Sequence, residues 1–447
     1  MSEHDETIFS AIPLVLVGAV FAYSFVAARL DRAQISAPMV FVAFGVLIGA
    51  NGLGLIKVDP GAHWLLTIAE LTLALLLFSD ASHLRLRDVE GDSGPPSRLL
   101  FIGLPLTLLA GTVLAYWLFP DGGWVVAALI AALLAPTDAA LGAAVVNDTR
   151  VPARVRRILN LESGLNDGLA TPVVMVLITV VASDEGLLGD RSWVVEAAKA
   201  LAIAVVVAVV VGGVGGWLLR WCRGRGWTSP LSEQVAVLTM ALLCYLVAVE
   251  IDGNGFVAAF AGGMVFGFVS PAPLRARSEF TETVGLLSSY AVWMAFGAAM
   301  VGTALEHATW RTVVMAVGAL TVVRMVPVAI AMIGRQWRWP TILFVGWFGP
   351  RGLATVIFAM IAVQELEANA VTDQLVEVAS LTVVLSILAH GLTASPLAAR
   401  YGRWAATLPD DAPERVAVTA VSTRRVVLHA EPRGTEPNSL DDRPEQP

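Results

Sequence analysis

Residues 125–146 read VVAALIAALLAPTDAALGAAVV. The run is long enough to cross a bilayer as one helix, which takes about 20 apolar residues. Pro136 interrupts it near the middle, and Thr137 and Asp138 follow at once. Proline withholds a backbone donor, and its ring collides with the carbonyl four residues earlier. An aspartate at that depth is costly unless something offsets its charge. Residues 342–359, ILFVGWFGPRGLATVIFA, repeat the pattern with Gly349, Pro350 and Gly352 around Arg351. Ordinary kinks would explain the prolines, but not why each break adjoins a charge. Two apolar segments interrupted by Gly and Pro in corresponding places point to a transporter built from inverted repeats.

Outward from these two stretches the chain has the composition of a membrane protein. Of 447 residues, 56% are hydrophobic and 15% charged, and the mean hydropathy is +0.72. A soluble domain carries about a quarter charged residues. The expected fold is an all-α polytopic membrane protein with 13 transmembrane helices, near 8–28, 36–56, 62–80, 98–119, 123–146, 160–182, 193–219, 231–250, 254–270, 281–304, 310–333, 340–363 and 373–398. The interrupted runs are spans 5 and 12. Their offset of seven is odd, so the two copies run in opposite directions. Residues 1–184 (spans 1–6) then form one inverted six-helix repeat, 185–230 a linker carrying span 7, and 231–400 (spans 8–13) the second repeat. Residues 401–447, rich in Pro, Asp and Glu, are expected to be a disordered cytoplasmic tail. Within it, RVAVTAVSTRRVVLHA (415–430) alternates enough to add a short strand to a partner.

Loop charges test the count. Alternate loops hold Arg29 and Arg32; Arg85, Arg87 and Arg98; Arg150, Arg154, Arg156 and Arg157; Arg220, Arg223 and Arg225; Arg275 and Arg277; Arg335 and Arg338; and finally Arg400 and Arg403. The opposite loops hold only Lys57, Arg191 and Arg311. The positive-inside rule puts the N-terminus outside and the C-terminus in the cytoplasm of a multi-pass protein of the cell membrane. The acidic MSEHDET lacks the basic start of a cleaved signal peptide. No basic domain points to nucleic acid, and Cys222 and Cys244 fit neither a disulfide framework nor a metal spacing.

Four acids lie at membrane depth beside polar company: Asp80, Asp138, Glu162 and Asp167. Arg324 and Arg351 lie at comparable depth. In a helix, Glu162 and Asn166 share one side, as do Ser163 and Asp167. Such a face offers carboxylate, hydroxyl and amide oxygens, which suit a hard monovalent cation. Desolvation makes a bare carboxylate costly there, so it holds either a proton or a cation. One site with two rival occupants, open to each side in turn, is sufficient for exchange. Asp138, just after a break, suits the positive N-terminal end of the second half-helix. Arg351 would reach back to the carbonyls ending its own first half-helix. Glu162 is expected to pair with Arg324 and hold spans six and eleven together.

Five stretches in this order carry a family resemblance: APTDAA (135–140), LESGLNDG (161–168), GNGFVAAFAGGMVFG (253–267), VVRMVPV (322–328) and GPRGLA (349–354). Together they resemble NhaP-type sodium/proton antiporters of the monovalent cation:proton antiporter family 1, which also includes the animal sodium/proton exchangers. The resemblance covers about residues 8–400 and implies a homodimer whose core, spans 4–6 and 11–13, slides like an elevator against a dimerisation domain. It implies no cofactor and no enzyme activity. It implies that Asp167 binds the transported Na+ or the proton, with Ser163, Asp80 and the backbone near Thr137 as further ligands. Glu162 would pair with Arg324, while Asp138 and Arg351 would offset half-helix dipoles. Asn166-Asp167, rather than two adjacent aspartates, resembles the electroneutral members, so one-for-one exchange of Na+ or Li+ for H+ is expected. Leu161 and Leu165 depart from the Gly and Phe of many members, Gly164 adds flexibility in the motif's first turn, and Asp80 is shorter than the glutamate of some.

Other readings stay open. The substrate could be K+ with the same mechanism. Asp138 and Asp167 could form the dyad of an intramembrane aspartyl protease, although the arginines argue against it; a channel would need a filter-like loop. His390 and His83 are candidate pH-responsive groups, and Glu70 is expected near the outer mouth. Trp64, Trp117, Trp124, Trp227 and Trp339 mark span ends, as interfacial anchors do.

Overall fold

The computed structural model describes residues 3–83, 94–183, 192–271, 276–334, 336–366 and 369–416. Arg85, Arg87, Arg191, Arg275, Arg335 and residues 417–447, with most of the candidate tail strand, lie outside them. Helices account for nearly everything described. In chain order they are α1 (Glu3–Arg32), α2 (Ala37–Ile48) and α3 (His63–Ser82); α4 (Gly94–Leu118), α5 (Gly123–Leu133), α6 (Ala139–Val146) and α7 (Ala153–Ala182); α8 (Trp193–Gly224), α9 (Pro230–Glu250), α10 (Gly255–Val269) and α11 (Ser278–Glu306); α12 (Trp310–Met332), α13 (Trp339–Trp347), α14 (Leu353–Glu365) and α15 (Ala370–Ala405).

Nine helices among the described residues are long and apolar enough to cross a membrane, and shorter apolar helices accompany them. Large apolar side chains face outward along them, such as Leu14, Phe21 and Phe25 on α1 and Val205, Val206 and Val209 on α8. A surface of that kind has lipid as its solvent. The chain is a multi-pass membrane protein.

The two interrupted runs are short helices with irregular backbone between them. The segment 134–138 separates α5 from α6, and 348–352 separates α13 from α14. Non-helical backbone at membrane depth is tolerated only where protein or a cavity satisfies it, and both breaks are buried.

Helix α3 lies on a seam. It packs against α10 and α11 on one side and touches α7 and α14 on the other. Gly263 and Gly267 of α10 let the α3 backbone come so close that a Cβ at either would strike the carbonyls of Phe78 or Ser82, the close approach that small residues permit between membrane helices.

Several boundaries differ from expectation, and α2 ends at Ile48 rather than near 56. Helix α7 begins at Ala153, not near 160, so Gly164 sits well inside it. An added Cβ there would meet Asp80 Cβ at 3.7 Å, an ordinary contact. Helix α15 continues to Ala405. Beyond it, residues 406–416 fold back on the bundle rather than beginning a disordered tail: Glu414 is fully buried. Its Oε1 accepts from Arg338 N (3.2 Å) and from Thr341 Oγ1 (2.9 Å) at the start of α13. Arg154 Nη1 holds the neighbouring Pro413 carbonyl at 2.7 Å. A carboxylate at a helix N-terminus satisfies donors that the helix itself cannot, and composition gives no sign of that local match.

Candidate functional site

The two breaks touch. Asp138 N donates to the Pro350 carbonyl at 2.8 Å. Asp138 Oδ1 accepts from Ala140 N (2.7 Å) and Leu141 N (3.0 Å), capping α6, while Oδ2 accepts from Leu353 N (2.8 Å) in the first turn of α14. One carboxylate therefore serves two half-helix N-termini. Gly352 makes this approach possible, because a Cβ there would overlap the Asp138 carboxylate.

The carbonyl end of α5 is satisfied from three directions. Arg351, 1% exposed, donates through Nη1 to Ala135 O (2.6 Å) and Pro136 O (3.2 Å). Thr355 Oγ1 donates to Leu133 O at 2.9 Å. Asn166 Nδ2 donates to Ala135 O (3.1 Å) and Thr137 Oγ1 (3.2 Å). The expectation that Arg351 reaches back to its own half-helix is thus corrected: it reaches across to the other. The reason is polarity. The two broken helices cross with the carbonyl end of α5 beside the residue that follows the second break, so a long cation there meets partial negative charge.

Asn166 is consequently an organiser of the first break, and its Oδ1 has no hydrogen-bond partner among the described residues. Thr137 Oγ1 continues the cluster to Ser163 Oγ at 3.4 Å. One residue before Ser163, Glu162 forms a bidentate ion pair with Arg324 of α12: Nη2 lies 2.8 Å from Oε2, and Nη1 bonds Oε1. Both partners are almost wholly buried. Gly349 abuts the guanidinium, where a Cβ would lie 2.5 Å from Arg324 Nε. The second break therefore supports the arginine that holds the ion pair.

Beside the crossing is a cavity of about 20 Å³ lined by Asp80, Asp138, Asp167, Ser289, Trp293 and the first residues of α6 and α14. A water needs about 10–15 Å³ measured in this way, so the space suits one small ion or one water. Ser163 does not line it. It faces a second cavity of about 10 Å³ with Asn160, Gly142 and Phe348. The predicted residues thus fall into two neighbouring sets, the three aspartates around one cavity and Thr137, Ser163 and Asn166 bonded beside it. His83 lies outside both and contacts Ser278 Oγ through Nε2 at 3.0 Å. Thr355 and Ser386 escaped the reading of the sequence. Hydroxyls in apolar helices are common, and only the crossing gives these two their targets.

A family model described as "Sodium/hydrogen exchanger, transmembrane" matches residues 16–400. The chain belongs to this family. Among sodium/hydrogen exchanger relatives, the K(+)/H(+) antiporter NhaP2 of Shewanella oneidensis is 26% identical over 341 residues, 74% of this chain and 57% of that protein. The K(+)/H(+) antiporter NhaP of Alkalimonas amylolytica is 26% identical over 402 residues, 88% of this chain and 67% of that protein. The probable Na(+)/H(+) antiporter C3A11.09 of Schizosaccharomyces pombe is 24% identical over 280 residues, 60% of this chain and 37% of that one. The chain thus spans little more than half the length of the Shewanella relative. The exchanger fold is also that of the sodium proton antiporter MjNhaP1 from Methanocaldococcus jannaschii, with a TM-score of 0.72, 19% identity, and coverage of 88% of this chain and 99% of that one.

Proposed function

We propose that the protein exchanges monovalent cations for protons across the cell membrane, with Asp167 as the shared binding group. The observation that carries this reading is a cavity for one small ion, lined by Asp80 and Asp167, beside two crossed broken helices. The other charges near it are committed: Glu162 to Arg324, Asp138 to three backbone N–H groups, and Arg351 to the carbonyls of the first break. Asp167, which lines the cavity together with Asp80, is the exchangeable carboxylate of this reading, with Ser163, Thr137 and Asn166 bonded beside the cavity.

Coupling follows from desolvation. A bare Asp167 carboxylate is costly in a closed, low-dielectric site, so the loaded core crosses with a cation or with a proton and rarely with neither. Either occupant neutralises the same charge. One-for-one exchange then moves no net charge. Crossing as a unit suits the cross-bonded breaks, which hold four half-helices as one body, and so supports an elevator motion of the core within a homodimer. The same pairing of breaks supports thirteen spans in two inverted repeats, and the arginines on alternate loops support an N-terminus outside and a C-terminus in the cytoplasm.

Na+, with Li+, is the reading for substrate. K+ is the second, favoured by the names of the NhaP and NhaP2 relatives. A protease dyad of Asp138 and Asp167 is disfavoured, because both Asp138 oxygens already accept backbone N–H groups.

The test is cation-driven proton efflux from acid-loaded proteoliposomes with the voltage clamped, comparing Na+, Li+ and K+ in wild type and Asp167→Asn. Efflux with Na+ or Li+ that the substitution abolishes is the expected result. Efflux with K+ alone changes the substrate and keeps the class. Silence with all three, or activity retained in Asp167→Asn, overturns the reading.

A further inference from the structure

The carbonyl end of α13 has the same problem as that of α5, and Arg351 does not solve it. Helix α13 ends at Trp347 in a buried, irregular stretch, and the Trp347 carbonyl accepts from Gly349 N at 2.9 Å with one lone pair left over. His390 of α15, 2% exposed, places Nε2 at 2.9 Å from the Trp347 carbonyl. A carbonyl only accepts, so this contact is a cap when Nε2 carries the proton. The other ring nitrogen, Nδ1, lies 3.2 Å from Ser386 Oγ and 2.9 Å from Ser386 O. Ser386 Oγ in turn accepts the Arg351 backbone N–H at 2.7 Å. Trp347 is fixed from the side as well, with its Nε1 donating to Thr393 Oγ1 at 3.0 Å and its ring 5.2 Å from the imidazole.

We propose that His390 is a positioning residue for the exchange reaction: it caps the α13 end of the second break and, through Ser386, ties that end to Arg351. The proposal rests on the antiport reading above. It differs from a merely packed histidine in what lies downstream. Two residues past Trp347, Gly349 abuts the guanidinium of Arg324, which pairs with Glu162 beside Ser163. Four residues past Trp347, Arg351 reaches the Ala135 and Pro136 carbonyls just before Thr137. A shift of the α13 end by a fraction of a hydrogen-bond length therefore moves both supports of the ion cluster at once.

The cap does not depend on the charge of the ring. Nε2–H donates to Trp347 O whether the imidazole is neutral, with Nδ1 accepting from the Ser386 hydroxyl, or charged, with Nδ1–H donating to the Ser386 carbonyl. The charged groups facing it are Arg351 and, farther off, Arg324 of α12, both cations. His390 holds geometry and carries no transported proton.

The experiment uses the full chain in proteoliposomes, with the cation that wild type exchanges, and compares His390→Leu, His390→Gln and Ser386→Ala. Thermal unfolding of each variant in detergent is measured alongside. Losing one buried cap is expected to raise the apparent KM for the cation about tenfold in His390→Leu. His390→Gln, whose amide nitrogen can take the place of Nε2, is expected to recover to within about threefold, with the midpoint of the pH profile unmoved. Ser386→Ala, which keeps the cap and cuts the link to Arg351, is expected to fall between them.

A folded His390→Leu with wild-type KM overturns the proposal. So does a His390→Gln as impaired as His390→Leu, or one whose pH midpoint moves, since that marks a proton carrier. If His390→Leu does not fold, the Gln and Ser386→Ala variants decide. Asp167→Asn runs in parallel: retained exchange there sinks the site itself, whereas a normal His390→Leu beside a silent Asp167→Asn sinks only this inference.

Discussion

The two breaks look alike in the sequence and are furnished in opposite ways. The first, between α5 and α6, carries the polar side chains: Thr137, Asp138 and, from α7, Ser163 and Asn166. The second, between α13 and α14, is built from Phe348, Gly349, Pro350 and Gly352, and its one charged side chain, Arg351, leaves to serve the first. Asp138 answers both helix N-termini, and the residue before α14 is Gly352, not an aspartate. The carbonyl ends are handled separately, by Arg351, Thr355 and Asn166 at α5 and by His390 at α13. Two breaks of like sequence thus coexist with a division of labour: the first supplies the polar side chains, and the second supplies space and support.

The largest test of this division is at the ion pair that the second break supports. Glu162→Gln leaves Arg324 buried and uncompensated, and stability is expected to fall by about 3–5 kcal/mol. Glu162→Leu combined with Arg324→Leu should recover most of that loss in unfolding experiments in detergent. If the double variant is as unstable as the single one, Arg324 has a structural partner beyond Glu162 and the scaffold is drawn too simply.

Asp138→Asn comes next. It replaces a charge-assisted cap on two helices and is expected to cost about 2–3 kcal/mol. Hydrogen exchange at Ala140, Leu141 and Leu353 should quicken together. Acceleration at α6 alone would mean that the two N-termini are not held in common.

Gly352→Ala is expected to cost about 1–3 kcal/mol, because its methyl meets a carboxylate already fixed by three donors. Gly349→Ala meets the Arg324 guanidinium at 2.5 Å, a milder overlap than the one at Gly352, and should cost less. The reverse order would shift the tightest contact from Asp138 to Arg324.

Glu414→Ala should be the mildest, about 1 kcal/mol, the usual worth of an N-cap. Measured by unfolding, a loss as large as that of Asp138→Asn would make residues 406–416 part of the scaffold on an equal footing with the crossing.

Much of this was legible in the sequence because membrane helices advertise themselves. About 20 apolar residues, a proline with a charge beside it and arginines on alternate loops are one-dimensional signals. Glu162, Asn166, Ser163 and Asp167 could be grouped by helical spacing alone. What spacing cannot give is the partner across the fold. Arg351 could be placed at a break, but whether it turned to its own half-helix or to the other depended on how two helices cross. Ser163 and Asp167, four residues apart on one helix, nonetheless face different cavities, because α6 and the first break pass between them. Glu414 sits in a stretch whose Pro and Asp content reads as disorder, and nothing local signals that two donors wait for it at the start of α13.

That last contact sets how much chain the membrane unit needs. A half-helix whose opening is closed by a residue 67 positions after its own last turn is not complete when the bundle's final helix ends. The working boundary of the unit lies past Glu414. A reporter or affinity tag joined beyond residue 416 leaves α13 closed, whereas one joined directly to Ala405 opens the first turn of a helix whose other end borders the ion site.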